Sequence, residues 1–222
     1  MEQIEINTSE ILSQAWELTK KYGISFAFVI LAVAIVEGGL NALGLPHEFW
    51  DALAAHDYKA MAHYNDTPFY YSCLYYLITF AIGLGITRMF LLVAKGENHG
   101  PSLDAYKVGA MVYLKYFAIN IIVGIIIIVG LIACIIPGII FGARLNWAGY
   151  YFLEHPEATI TEAIGASWNM SNYNVLNLIF LALVAGLIAI SGLIFCGIGV
   201  FYTSVIATFA ETVTYLTLKK NL

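Results

Sequence analysis

The sequence predicts an all-α, polytopic membrane protein. About six transmembrane helices are arranged in hairpins, each hairpin preceded by a short amphipathic helix along the membrane interface. Three observations lead there. The 222 residues are 60% hydrophobic and only 11% charged, with a mean hydropathy of +0.79, whereas a water-soluble domain carries about 25% charged residues. Several stretches of about twenty residues lack the charges that water requires and are long enough to cross ~30 Å of hydrocarbon. Runs such as "NIIVGIIIIVGLIAC" and "VLNLIFLALVAGLIAISGLIF" do not alternate in polarity as barrel strands do, and a helix satisfies its own backbone in lipid. The whole chain, 1–222, reads as a single integral membrane domain.

The opening "MEQIEINTSE" is acidic and polar. It lacks the basic segment and small-residue site of a cleaved signal, so the first span is expected to stay in the mature protein. Residues 8–21 are expected to form an interfacial helix: Ile11, Leu12, Ala15 and Trp16 recur at helical spacing, and tryptophan favours headgroup depth. Span one follows at 22–43. In the outer loop 44–67, Phe49, Trp50, Leu53, Ala54 and Met61 have the spacing of a short helix on the outer interface. His56, His63 and Asp66 show no ligand motif and read as solvated loop residues, so no metal site is expected.

Spans two to four are expected at 68–93, 111–135 and 137–153, the last two separated only by Pro137-Gly138. An inner interfacial helix is expected at 159–172, opened by a Thr159/Glu162 capping box, with Asn7 and Glu10 a weaker version. Spans five and six are expected at 174–195 and 197–218, broken only by "CGIG" at 196–199. Both short breaks imply tight hairpins. Cys73, Cys134 and Cys196 form no paired motif and read as free thiols.

Lysine and arginine placement sets the orientation. With both termini inside, Lys20, Lys21, Arg88, Lys95, Lys107, Lys115, Lys219 and Lys220 fall at inner ends or loops. Only Lys59 falls outside. The expected location is a bacterial cytoplasmic (inner) membrane, with membrane phospholipids as partners and room for a membrane-protein partner. No nucleic acid and no cofactor are expected.

A shift of 152 residues lays "NTSEILSQAWELTKKY" over "TITEAIGASWNMSNYN", matching Glu10 with Glu162, Trp16 with Trp168 and Thr19 with Ser171. Each segment precedes a span, and "PSLDAYKVGAMVYLKY" stands in the equivalent place before span three. Three elbow-plus-hairpin units follow as an expectation. The stretch "GLIACIIPGIIFGARLNWAGYYFLEHPEATITEAIGASWNMSNYN" resembles a six-helix bacterial membrane family. That family includes YciC-like inner-membrane proteins and the membrane domain fused to some glycerophosphoryl diester phosphodiesterases. The resemblance implies fold and location. It does not carry the hydrolytic chemistry, which belongs to a soluble barrel, and Asn172 and Asn174 replace the basic residue and glycine often found after Ser-Trp.

Three charges fall inside expected spans: Glu37, Arg144 and Glu211. Such residues are costly in hydrocarbon and take partners in the bundle interior. At 1.5 Å per residue, Glu37 and Arg144 both lie roughly 10 Å below the outer surface and Glu211 roughly 10 Å deeper. Matching depth makes Glu37 the expected partner of Arg144, with Glu211 the alternative. No nucleophile and base fall at a common depth with an orienting acid, so no enzyme is expected. The expected function is a non-enzymatic, envelope- or lipid-associated or regulatory membrane scaffold. A small-solute, ion or lipid transporter using the three charges is the alternative.

Overall fold

The computed structural model of the chain describes residues 5–63, 68–194 and 199–222, and every regular element among them is helical. The chain divides into two compact units, Met1–Phe28 with Leu84–Leu222, and Val29–Gly83. The division falls inside two long helices, α1 (Thr8–Leu43) and α4 (Phe69–Ala94).

The smaller unit holds the far half of α1, α2 (His47–Ala54), α3 (Tyr58–His63) and the first half of α4. The segment 44–67 therefore does carry helix where helical spacing was expected. α2 stops at Ala55, after which His56 adopts φ of +56°. That is the left-handed conformation glycine usually supplies. The Asp57 carboxylate then accepts from the Lys59 and Ala60 N–H groups, each at 3.1 Å, opening α3. The Tyr71 hydroxyl donates to the Leu40 carbonyl, tying the start of α4 to the end of α1. Asp66, Cys196 and most of the "CGIG" turn lie outside the described residues.

In the larger unit the core is a cluster of three fully buried phenylalanines, one from each of three helices. Phe26 of α1 and Phe90 of α4 have ring centroids 4.3 Å apart, and Phe209 of α10 (Gly199–Leu218) lies 5.3 and 4.7 Å from them. The segment 8–21 is not a separate helix. It is the opening part of α1, which runs unbroken for 36 residues, about 54 Å. Nothing at 19–23 stops a helix. Gly23 sits inside it because the Tyr202 ring packs close: a Cβ there would stand 3.0 Å from that ring.

α5 (Ala110–Ala133) and α6 (Ile135–Leu145) are joined by Cys134 alone, in extended conformation at φ −171° and ψ 148°. The break thus precedes Pro137-Gly138 rather than falling on it. Pro137 occupies the first turn of α6, where a backbone N–H has no helical partner in any case. Gly138 has a packing role. A Cβ on it would lie 2.7 Å from the Leu131 backbone nitrogen, and one on Gly130 would lie 3.0 Å from Gly138 Cα.

The expected fourth span is divided into α6 and α7 (Ala148–Glu154) by a turn at Asn146 and Trp147. Side chains take the carbonyls at this break. Trp147 Nε1 donates to the Ala143 carbonyl at 3.0 Å, and the Ser167 hydroxyl donates to the Arg144 carbonyl at 2.7 Å.

α8 (Ile160–Met170) opens with the expected capping box: Glu162 N–H donates to Thr159 Oγ1 at 3.3 Å, and Thr159 N–H to Glu162 Oε2 at 2.7 Å. α9 (Val175–Ser191) leaves α8 at 94°. Among the described residues three helices, α1, α4 and α5, are long and apolar enough to cross a membrane, and a fourth if α8 and α9 form one bent span. The count stays below six for local reasons. Besides the divided fourth span, α9 has only 17 residues, and α10 interleaves threonine, serine and tyrosine with its apolar residues.

Candidate functional site

Arg144 stands in the last turn of α6, and its partners come from the far end of α8. Its Nη2 donates to the Trp168 carbonyl at 2.9 Å and to Asn172 Oδ1 at 2.7 Å. Its guanidinium lies 3.4 Å from the centroid of the Trp168 ring. In return, the Ser167 and Ser171 hydroxyls donate to the Arg144 carbonyl at 2.7 and 3.3 Å. Each helix therefore closes the other's C-terminus, where carbonyls have no partner within the helix and cations are favoured. Arg88 of α4 does the same one connection earlier. Its Nη1 donates to the Ala105 carbonyl at 3.0 Å and to the Asp104 and Lys107 carbonyls at 3.4 Å, holding the 3-10 turn Leu103–Tyr106.

Within its unit Arg144 forms no ion pair among the described residues. The alternative pairing with Glu211 is not formed; the Glu211 carboxylate instead accepts from the Tyr150 hydroxyl at 3.5 Å. Glu37 belongs to the smaller unit, where it is half-buried on α1. Trp16 and Trp168, matched at the 152-residue offset and expected as interfacial anchors, differ in their contacts. Trp168 is the platform under Arg144, whereas Trp16 is 43% exposed with Lys20 Nζ 5.8 Å from its ring centroid.

Sequence reading missed a second cluster. Glu154, at the end of α7 and 10% exposed, binds Lys219 Nζ at 2.7 Å and Lys95 Nζ at 3.2 Å. It also accepts from the Tyr215 hydroxyl at 2.5 Å. These groups join the ends of α4, α7 and α10. Burial alone would raise the Glu154 pKa, but hydrogen bonds from Lys219, Tyr215 and Lys95 outweigh it and hold the carboxyl down to about 2. Burial likewise works to lower the pKa of Lys95, while its bonds to Glu97 and Glu154 prevail and raise it. The only linear signal was a charged residue beside "HPE", one of several at expected inner ends.

A cavity of about 600 Å³ opens among α5, α6, α9 and α10. Its wall is aliphatic apart from the Asn146–Trp147 turn and Glu211. Both Asn146 and Glu211 are exposed, while Trp147 is buried and its indole N–H is already bonded to Ala143. Gly142 lines this space, and a Cβ built on it meets nothing within 4 Å. The volume falls in the ordinary range for ligand pockets, about 300–1,000 Å³.

Among the described residues these features define an all-helical protein with several helices long and apolar enough to cross a membrane and an apolar cavity beside a helix break. No family model, curated protein or solved structure matches the chain.

Proposed function

We propose that this is a non-catalytic, six-span, lipid-associated protein of a bacterial cytoplasmic membrane, in line with the family resemblance of residues 130–175. The cavity beside Asn146 and Glu211 carries this reading, because its aliphatic wall suits a hydrocarbon chain rather than a polar solute. Three features support the six-span, elbow-and-hairpin architecture. The hydroxyls of Thr203, Ser204, Thr208, Thr212, Thr214 and Thr217 all donate to carbonyls of α10 itself, which lowers the cost of placing that helix in lipid. The 94° turn between α8 and α9 suits an interfacial elbow entering a span. At the 152-residue offset, Ile11, Ala15, Thr19 and Tyr22 are buried, and so are Ala163, Ser167, Ser171 and Asn174. Thr19 and Ser171 both bond back to the fourth preceding carbonyl, at 2.8 and 2.7 Å.

The deciding experiment is native mass spectrometry of the protein released from membranes. A retained amphiphile is expected on the wild type and absent from Gly142→Leu, which adds a side chain at the cavity wall where a Cβ meets nothing within 4 Å. Equal retention by both would refute the assignment. Cysteine labelling at Asp57 and Asn221 tests the orientation; labelling of both from outside would refute it. A second reading, transport, is favoured by one observation: the helix break at Asn146–Trp147 faces the same space as Glu211, and interrupted helices commonly border transporter sites. Proteoliposome uptake that needs Glu211 would support it.

A further inference from the structure

The geometry points to the occupant of the cavity: we propose that it binds a single-chain amphiphile carrying an ammonium group and no phosphate, with the ammonium on Glu211. This rests on the lipid-associated reading and adds the chemical class of the ligand. Glu211 is exposed and contributes to the lining of an otherwise largely aliphatic space. Among the described residues its one hydrogen bond, from the Tyr150 hydroxyl, is long at 3.5 Å. A carboxylate in such surroundings calls for a cation, and among the described residues no side-chain cation of this unit forms an ion pair with Glu211. Arg144 is stacked on Trp168 and bonded to Asn172, Lys95 and Lys219 are on Glu154, and Arg88 is on the Ala105 carbonyl.

An alkylammonium supplies both halves of what is missing. Its chain fits the aliphatic wall formed by Ile139, Leu178 and Ala182. Its three N–H donors suit the Glu211 carboxylate, with Asn146 Oδ1 as a second acceptor exposed at the same cavity. An aminophospholipid is a poorer occupant, because its ammonium is tethered to a phosphate that the carboxylate repels. A fatty alcohol would satisfy the wall and leave the carboxylate without a counter-ion. A fatty sulfate would place like charges together.

The test is equilibrium binding of radiolabelled dodecylammonium, dodecanol and dodecyl sulfate to the full chain in phosphatidylcholine nanodiscs, with empty discs subtracted. Saturable binding is expected for dodecylammonium at about tenfold higher affinity than for dodecanol, the scale of one charge-assisted hydrogen bond. Dodecyl sulfate should bind weakest. Glu211→Gln should remove the preference and keep dodecanol binding, and Gly142→Leu should remove saturable binding of both. Equal affinity for amine and alcohol, or an unchanged preference in Glu211→Gln, overturns the ammonium assignment and leaves the apolar site standing. Absence of saturable binding by any probe overturns both. Competition by phosphatidylethanolamine in the discs would overturn the phosphate-free source. If Glu211→Gln fails to fold, the wild-type ranking of the three probes decides the matter alone.

Discussion

Replacing Glu154 by glutamine removes the charge that holds the ends of α4, α7 and α10 together while keeping the side chain's shape. The carboxyl titrates at about 2 in the folded protein against an ordinary 4.5. That difference corresponds to about 3 kcal/mol at ~1.4 kcal/mol per pH unit. Lys95 and Lys219 are 26% and 33% exposed, and solvent screening of their charges brings the expected loss to about 2 kcal/mol. For a chain of this size that lowers Tm by roughly 4–8 °C, measurable by thermal unfolding in a mild detergent. The direction with pH follows from the depressed folded pKa. The contribution is complete above about 4.5, where the unfolded carboxyl is already ionised, and is lost as pH falls toward about 2. Wild-type Tm should therefore fall across that window by an amount that Glu154→Gln does not show. Lys219→Met should lose part of the same energy, and combining it with Glu154→Gln should cost less than the sum. An unchanged Tm for Glu154→Gln, an identical acid slope, or strict additivity with Lys219→Met would refute the knot as a stabilising unit.

Arg144→Leu should destabilise by about 2–4 kcal/mol, since it removes charge-assisted hydrogen bonds and the ring contact together. Arg144→Lys should not restore stability, because an ammonium cannot lie flat on Trp168 while donating to Asn172. In a thermal-shift double-mutant cycle, Arg144→Leu and Trp168→Leu should be strongly non-additive, and additive losses would dissolve the clasp. Gly138→Ala should cost about 1–3 kcal/mol by forcing α5 away from α6, read as a lower Tm. Gly142→Ala, where a Cβ meets nothing, should be neutral or mildly stabilising, and equal losses at the two glycines would contradict the packing. Thr159→Ala should cost about 1 kcal/mol from the lost cap of α8, and faster amide exchange confined to 160–164 would show it.

Class, helical content and the capping box were legible along the chain because each depends on local chemistry. Apolar composition rules out a water-exposed surface, unbroken apolar runs demand helix, and Thr159 with Glu162 are neighbours three residues apart. Break positions were less legible. Pro137-Gly138 looked like a turn, yet a proline in the first turn is compatible with helix, and the glycine answers the approach of α5, which no local pattern records. The separate helix at 8–21 was inferred from apolar residues at helical spacing and from Trp16, but such spacing records which face is buried and not where the helix ends.

Partners of the interior charges were the least legible. Counting residues from a span's end supplies a depth and no direction around the helix, so Glu37 and Glu211 were ranked for Arg144 on depth alone. Composition and periodicity by themselves determined an all-helical, membrane-type chain, and they gave Glu37, Arg144 and Glu211 only as charges inside expected spans. Only the tertiary structure decided that Arg144 closes the end of α8, that Glu154 gathers Lys95, Tyr215 and Lys219, and that Glu211 opens onto an apolar cavity. The physical reason is range. Helix formation and burial preference are written into neighbours a few residues apart, whereas a hydrogen bond from residue 144 to residue 172, or from 219 to 154, depends on which helix faces meet.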